Sequence, residues 1–125
     1  MVGMVSRFTL PYPPSGNRYW RHARGRTYLS AEAVAYIADA GKEAIRQRVR
    51  PLVGNVVVSL AVYRPAKRGD LDNTAKVLLD ALNGVAWADD KQIVELHLYR
   101  HDDKHNPRVE VEITAELSES PGGTA

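Results

Sequence analysis

The pattern of apolar and polar residues predicts four strands in this chain. The clearest is the largely apolar run NVVVSLAVY at Asn55–Tyr63, which is rich in β-branched and aromatic residues and is typical of a central strand. Alternation between apolar and polar residues predicts the other three strands, at Val5–Leu10, Ile93–Arg100 and Arg108–Leu117. The polar segment His101–Pro107 separates the last two strands, and we expect it to form a hairpin turn.

Apolar residues recur at helical spacing in two further stretches. The first helix is predicted to begin at Ser30, whose hydroxyl can cap it, and to continue to about Val49. Its expected apolar face consists of Val34, Ile37, Ala38, Ile45 and Val49.

The second helix is predicted between the Asp70–Asp72 segment, which can cap its start, and a left-handed terminator at Asn83-Gly84. Its expected apolar face consists of Leu71, Ala75, Leu78, Leu79 and Leu82.

The predicted order of elements is β-α-β-α-β-β. This order indicates a single α+β domain, with a mixed sheet and helices on one face. We expect the domain to occupy residues 1–117 and the small, polar residues 118–125 to form a flexible tail.

Composition narrows the class of protein. The chain has 125 residues, 44% of them hydrophobic, which suffices for one core. No apolar run reaches the roughly 18 residues of a membrane span, and the first residues lack the apolar region of a secretory signal. Cysteine is absent, which excludes thiolate metal sites, disulfides and cysteine nucleophiles. We therefore expect a cytoplasmic protein, associated with the nucleoid if DNA is its partner.

Charge is distributed unevenly along the chain. Residues 1–31 contain five arginines and no acid, whereas residues 70–103 hold eight of the fifteen acids. This asymmetry suggests a polyanion partner at one place and a metal ion at another, although uneven surface charge without a partner explains it equally well.

The arginine-rich segment at residues 17–28 interleaves basic and aromatic side chains. Its arginines are Arg18, Arg21, Arg24 and Arg26, and Lys67-Arg68 forms a second basic loop before the second helix. Arginine binds phosphate oxygens through a planar fork, and aromatic rings stack on bases, so these residues are candidate DNA contacts. The alternative is a solvated arm whose rings pack on the core.

Carboxylates cluster around the second helix. Asp70, Asp72 and Asp90 can supply the oxygen ligands that magnesium prefers, provided that the ends of the elements converge. Lys76 lies one helical turn after Asp72, where its ammonium can neutralise charge developing on a phosphate. The alternative is an exposed Asp72–Lys76 ion pair of ordinary strength. We expect a helix-face ion pair for Asp80 as well, and the four histidines lack zinc-ligand spacing.

Two stretches resemble the RusA family of Holliday junction resolvases. They are LPYPPSGNRYWRHARGRTYLSAEAVAY at residues 10–36, and DLDNTAKVLLDALNG at 70–84 followed by WADD at 87–90. The combination of D-x-D-N-x-x-K, D-A-L and a closing acidic pair with that N-terminal arm is specific, whereas either half alone is not.

The resemblance implies a homodimeric, magnesium-dependent endonuclease that binds four-way DNA junctions and makes paired nicks in opposed strands during recombination and repair. By position, Asp70, Asp72 and Asp90 correspond to the metal-binding catalytic aspartates, and Lys76 to the catalytic lysine. Asp89 is the alternative third ligand, and manganese is an alternative metal. No small-molecule cofactor or membrane is implied.

Two other functions remain open at this stage. One is a branched-DNA-binding protein that uses the arginine arm with little or no cleavage. The other is a metal-dependent nuclease or phosphoesterase that acts on a different nucleic acid.

Overall fold

A four-stranded mixed sheet forms the centre of the protein in the computed structural model, which describes residues 4–66 and 71–116, with only the backbone of Met4 and Asp72. The sheet order is β1-β6-β4-β5. Its strands are β1 (Met4–Pro11), β4 (Val56–Arg64), β5 (Ile93–Asp102) and β6 (Arg108–Ala115). A separate two-stranded ribbon comprises β2 (Trp20–Ala23) and β3 (Arg26–Leu29).

The predicted α+β class with a mixed sheet is confirmed. Strand β4 pairs in parallel with β5 and antiparallel with β6, and β1 pairs antiparallel with β6. Alternate residues of β4 are fully buried, which gives the sheet one core-facing side. The helices α1 (Gly16–Tyr19), α2 (Ala31–Arg46) and α3 (Leu71–Leu82) complete the fold.

The predicted hairpin between β5 and β6 is wrong. These strands are not neighbours, because β4 lies between them in the sheet. Their connection instead crosses the end of β4, where the amide of Asp103 donates a hydrogen bond to the carbonyl of Arg64 at 2.8 Å. Two regular strands joined by a short polar segment favour a hairpin locally, and only the pairing with β4 decides otherwise.

Helix α2 begins as predicted. The Ser30 hydroxyl accepts a hydrogen bond from the amide of Ala33 at 3.0 Å. The helix ends at Arg46, three residues earlier than expected, and Arg48 follows with φ of 63°. The amides of Arg48 and Val49 donate to the carbonyls of Ile45 and Ala44, which is a Schellman termination.

The predicted apolar face of α2 is wrong in its phase. Val34 and Ile45 are 57% and 77% exposed, and Ala38 is also exposed, although Ile37 and Val49 pack at the margin of the core. The buried side chains are Ala33, Tyr36, Ala40 and Ala44. These alanines permit close approach to the sheet, and the Tyr36 hydroxyl donates to the carbonyl of Pro11 at 2.8 Å.

Helix α3 agrees more closely with the prediction. Ala75, Leu78 and Leu82 are buried, and Leu71 and Leu79 are partly buried against the core. The expected left-handed terminator is present, with Gly84 at φ of 85°. The predicted tail at residues 118–125 lies outside the described residues. Within the described ranges, no helix has both the length and the apolar character required to cross a membrane.

Candidate nuclease site

Helix α3 carries the first part of the acidic cluster. Asp72 is its second residue, and Lys76 is exposed one turn later. Asp70, Lys67 and Arg68 lie outside the described residues, so the structure tests neither their positions nor the side-chain geometry of Asp72.

The second part of the cluster follows α3. The indole N–H of Trp87 donates a hydrogen bond to Oδ1 of Asp90 at 2.8 Å. Trp87 is fully buried, whereas Asp90 is exposed. A rigid core residue thus orients a solvent-facing carboxylate, and no other hydrogen bond to that side chain occurs in residues 4–66 and 71–116.

Asp89 has a different role from its neighbour. Its Oδ1 accepts from the amide of Lys91 at 2.9 Å and caps the short 3-10 helix Asp90–Gln92. The side chain of Gln92 completes a capping box and also donates to the carbonyls of Leu52 and Gly54, both at 2.8 Å. These contacts fix the Asp89–Asp90 segment beside the start of β4.

The two parts of the cluster lie at opposite ends of α3. Leu82 lies ten positions after Asp72, which corresponds to about 15 Å of helix. Beyond the helix, Trp87 forms bridges with Asn83 and with Leu52, which precedes β4. A single chain therefore does not bring the backbone of Asp72 close to Asp90.

An open cleft lies beside the start of α3. It has a volume of about 720 Å³. Its walls come from the proline-rich segment after β1, from α1, from the end of β4 and from α3, and they include Tyr12, Pro14, Gly16, Arg18, Pro65 and Asn73. A Cβ on Gly16 would lie 3.1 Å from the Cβ of Asn73, so α1 packs tightly against this end of α3.

The side chain of Asp80 has a different partner from the one predicted. Its Oδ2 accepts a hydrogen bond from the Tyr19 hydroxyl at 2.7 Å, and no ion pair of Asp80 occurs in the described part of the chain. Tyr19 is fully buried. Burial, reinforced by the hydrogen bond to Asp80, raises the pKa of the Tyr19 phenol above its ordinary value. This contact joins α1 to α3.

The four arginines of the arm have different environments. Arg18 is paired with Glu32 through Nη2–Oε2 at 2.8 Å, so a phosphate would compete with that carboxylate. Arg21, Arg24 and Arg26 are exposed and lie on the β2–β3 ribbon. The arm is thus an ordered two-stranded ribbon, and the sequence analysis predicted no strands in this segment.

Two site residues escaped the sequence analysis. Trp87 was noted only as part of a motif, and its indole donor to Asp90 required the loop geometry. Tyr19 was grouped with aromatic residues that stack on bases, but it is buried under α3. A signal for the ribbon was available, because Arg24-Gly25 sits between two short alternating segments, as expected for a two-residue hairpin turn.

The described residues contain no group of three or more acidic, histidine or cysteine side chains that could hold a metal ion. Asp70 and the side chain of Asp72 lie outside the described part of the structure. The metal-ligand hypothesis therefore depends on these two residues together with Asp90.

The described residues form a small α+β fold with exposed carboxylates and a basic ribbon, and such a basic surface is typical of proteins that bind nucleic acid. Residues 11–114 match the family described as Endodeoxyribonuclease RusA, and the chain belongs to this family. The resemblance found in the sequence is confirmed, and family membership identifies the chain as a nuclease.

Curated relatives from bacteria and phage support this assignment. The chain is 36% identical to "Crossover junction endodeoxyribonuclease RusA" of Shigella sonnei (strain Ss046) over 118 residues, covering 85% of this chain and 91% of the relative. The proteins of the same name from Escherichia coli (strain K12) and Enterobacteria phage 82 show the same identity and coverage.

Proposed function

We propose that this protein is a magnesium-dependent endonuclease that resolves four-way DNA junctions by paired, symmetric nicks in recombination and repair. The family match over residues 11–114 carries the proposal, because that range contains every candidate catalytic residue. The names of the bacterial and phage relatives specify crossover junctions as their substrate.

Asp70, Asp72 and Asp90 are the proposed metal ligands. Carboxylates are the hard oxygen donors that magnesium prefers, and manganese accepts the same set. The environment of Asp90 fits this role, since its carboxylate is exposed and only one of its oxygens, Oδ1, accepts the hydrogen bond from the Trp87 indole. When bound, the metal supplies an activated water and stabilises charge on the phosphate. Asp89 is committed to capping, which favours Asp90 as the third ligand.

The proposed site contains residues from two chains of a homodimer. About 15 Å of helix separates Asp72 from the end of α3, and Asp90 lies beyond that end. Each ligand oxygen lies about 2.0–2.1 Å from a magnesium ion, so two ligand oxygens of one ion are at most about 4 Å apart, far less than this separation. We infer that Asp70 and Asp72 of one chain share a metal with Asp90 of the second chain. A two-fold dimer then presents two sites to a junction of similar symmetry.

Lys76 is the proposed electrostatic stabiliser. It is exposed one turn after Asp72 on the same helix, so its ammonium can approach a phosphate held at the start of α3. There it neutralises negative charge that develops as the phosphodiester is cleaved, which lowers the barrier without covalent chemistry.

The proposed DNA contacts are Arg21, Arg24 and Arg26 of the ribbon, with Lys67 and Arg68 in the segment before α3. Arg18 contributes only if phosphate displaces Glu32. Such contacts hold the DNA backbone and carry no sequence information.

The test is incubation of the purified protein with a labelled synthetic four-way junction, with magnesium or with EDTA, beside a linear duplex and an RNA duplex. Paired nicks that appear only with magnesium and only on the junction are expected. Cleavage of all substrates at equal rates would contradict junction selectivity and favour a general nuclease.

Substitution at Asp72 separates cleavage from recognition. Asp72→Asn is expected to abolish nicking and to leave junction binding intact, because the change removes a metal ligand but no phosphate contact. Binding by the unmodified protein without nicks, with manganese also tried, would instead indicate a branched-DNA-binding protein. An Asp72→Asn variant that still cuts would contradict the catalytic assignment.

A further inference from the structure

The β2–β3 ribbon has two distinct faces. Opposed residues of an antiparallel pair share a face, and Arg21 is opposite Tyr28 while Ala23 is opposite Arg26. One face therefore presents two guanidinium groups and one phenol ring. The other face contains Trp20 and Leu29, which pack against the core.

Tyr28 is the exposed aromatic ring of this arm. The Tyr28 side chain is 52% exposed, whereas Tyr19 is fully buried. The ring of Trp20 packs edge-on against the ring of Tyr19, with their centroids 4.9 Å apart. His22 faces the opposite side of the ribbon, where its Nδ1 lies 3.0 Å from the Thr27 hydroxyl. The ribbon thus uses its inner aromatic residues for anchoring and leaves one ring free to contact a ligand.

The base of the ribbon is held firmly. The Ser30 hydroxyl donates to the carbonyl of Arg18 at 2.6 Å, and the Ser30 amide donates to the carbonyl of Tyr19 at 2.9 Å. These bonds fix both ends of the ribbon to the start of α2. The outward face is consequently presented in one orientation, which lowers the entropic cost of binding.

The outward side chains have no partners within residues 4–66 and 71–116. No hydrogen bond, ion pair or ring contact there engages the side chains of Arg21, Arg26 or Tyr28. By contrast, Arg7 and Arg18 are each paired with a glutamate. An exposed aromatic between two unpaired guanidiniums is the composition of a surface that stacks a base and holds the adjoining phosphates.

We propose that Tyr28 stacks on an unstacked base at the branch point of the DNA, while Arg21 and Arg26 bind the phosphates on either side of that base. The inference rests on the proposed function and identifies one recognition contact within it. Bases in an intact duplex are covered on both faces, whereas a branch point exposes base faces to a protein ring. Tyr28 therefore contributes to the selection of branched over linear DNA, whereas Arg21 and Arg26 contribute to the binding of branched and linear DNA alike.

The experiment compares Tyr28→Leu and Tyr28→Phe with a matched control, Tyr99→Leu. Tyr99 is 50% exposed and pairs with Ala61 of β4, at a position that points away from the helices. Binding is measured in EDTA, which prevents cleavage, to a junction, a linear duplex and a single strand. Each DNA carries 2-aminopurine, at the branch point in the junction, because stacking on the ring changes its fluorescence.

Tyr28→Leu is expected to weaken junction binding roughly tenfold, to change duplex binding less than twofold and to abolish the fluorescence change. Tyr28→Phe is expected to retain junction binding and the fluorescence change, because it keeps the aromatic ring. Tyr99→Leu behaves like the unmodified protein. The dependence of junction binding on salt stays the same in Tyr28→Leu, whereas Arg21→Gln and Arg26→Gln each reduce it.

Three results would overturn the inference: junction preference retained in Tyr28→Leu, equal losses on junction and duplex, or equal effects of Tyr28→Leu and Tyr99→Leu. Each leaves the proposed nuclease function intact. If the unmodified protein shows no junction preference, the proposed substrate is wrong. In that case, the fluorescence change of 2-aminopurine in the single strand still tests stacking on Tyr28. A fluorescence change that persists in Tyr28→Leu would refute stacking on this ring.

Discussion

The indole N–H of Trp87 donates a 2.8 Å hydrogen bond to Oδ1 of Asp90, and this bond connects the buried core to an exposed carboxylate. The donor is rigid because the ring is fully enclosed. The acceptor therefore has one oxygen fixed and the rest of its carboxylate available to a ligand. Replacing a group that orients a metal ligand typically lowers metal affinity or activity, and this is the effect expected of Trp87 because Asp90 is a proposed ligand.

Trp87→Phe should lower the rate of junction cleavage by about 10- to 100-fold, because the ring packing is largely kept while the N–H donor to Asp90 is lost. The KM for the junction should change little. Trp20→Phe is the control, since Trp20 is partly buried and makes no hydrogen bond to Asp90, whose side chain accepts from Trp87. Equal cleavage rates for the two variants, at a temperature where both are folded, would argue against an orienting role.

The adjacent aspartates should respond differently to substitution. Asp89→Ala removes the cap of the 3-10 helix and should lower the free energy of unfolding by about 1 kcal/mol while cleavage persists. Asp90→Asn keeps an oxygen acceptor for Trp87 and should leave stability unchanged while cleavage is lost. Denaturant titration and a nicking assay on both variants measure the two effects. Loss of cleavage in Asp89→Ala with cleavage retained in Asp90→Asn would indicate that Asp89 is the ligand.

Tyr19 should contribute to stability in a pH-dependent manner. Tyr19→Phe removes the hydrogen bond to Asp80 and should lower the free energy of unfolding by about 1–2 kcal/mol at pH 8. Burial raises the pKa of Tyr19 in the folded protein, so only the unfolded state loses this proton near pH 10. The stability from this group is present below that pH and is lost as pH rises further.

Denaturant titrations between pH 8 and pH 11 test this expectation. The unmodified protein should lose stability more steeply above about pH 10 than Tyr19→Phe does. The variant should still decline, because burial also raises the pKa of Tyr36. Parallel pH profiles for the two proteins would show that Tyr19 ionises equally in the folded and unfolded states.

Two arginines adopt left-handed backbone conformations that suit asparagine or glycine better. They are Arg24, at the tip of the ribbon with φ of 52°, and Arg48, after α2 with φ of 63°. Changing either to Asn should raise the free energy of unfolding by up to about 1 kcal/mol, because asparagine tolerates this region.

The two substitutions should differ in their effect on DNA. Only Arg24→Asn should weaken binding and reduce the salt dependence, by about one phosphate contact. Stability is measured by denaturant titration, and binding by titrations at several salt concentrations. An equal loss of binding in Arg48→Asn would mean that α2 also contacts DNA.

Local pattern was sufficient to predict the main strands, α3 and the Ser30 cap, because each depends on residues close in sequence. The phase of α2 was not predictable in this way. Hydrophobicity predicts that Val34 and Ile45 are buried. In the structure the smaller residues Ala33, Ala40 and Ala44 are buried instead, because they allow close packing of the helix. The separation of β5 from β6 depends on pairing with β4, which is a long-range contact.

For the candidate site, sequence identified the residue types but not their arrangement. Asp72 and Asp90 are 18 positions apart, and their placement at opposite ends of α3 follows only from the tight Asn83–Trp87 loop and its bridge to Leu52. Roles for Trp87 and Tyr28 likewise required knowledge of which ring is enclosed and which is exposed.

The most direct test of the proposed composite site uses mixed dimers. Asp72→Asn and Asp90→Asn chains, with different affinity tags, are co-expressed and the heterodimer is purified. If one chain supplies Asp72 and the other Asp90, this heterodimer has one intact site and should nick one strand of the junction, although both homodimers are inactive. A dimer of the unmodified chain with the Asp72→Asn, Asp90→Asn double variant should be inactive. An inactive first heterodimer with an active second one would contradict the account, because it would place both aspartates of each site in a single chain.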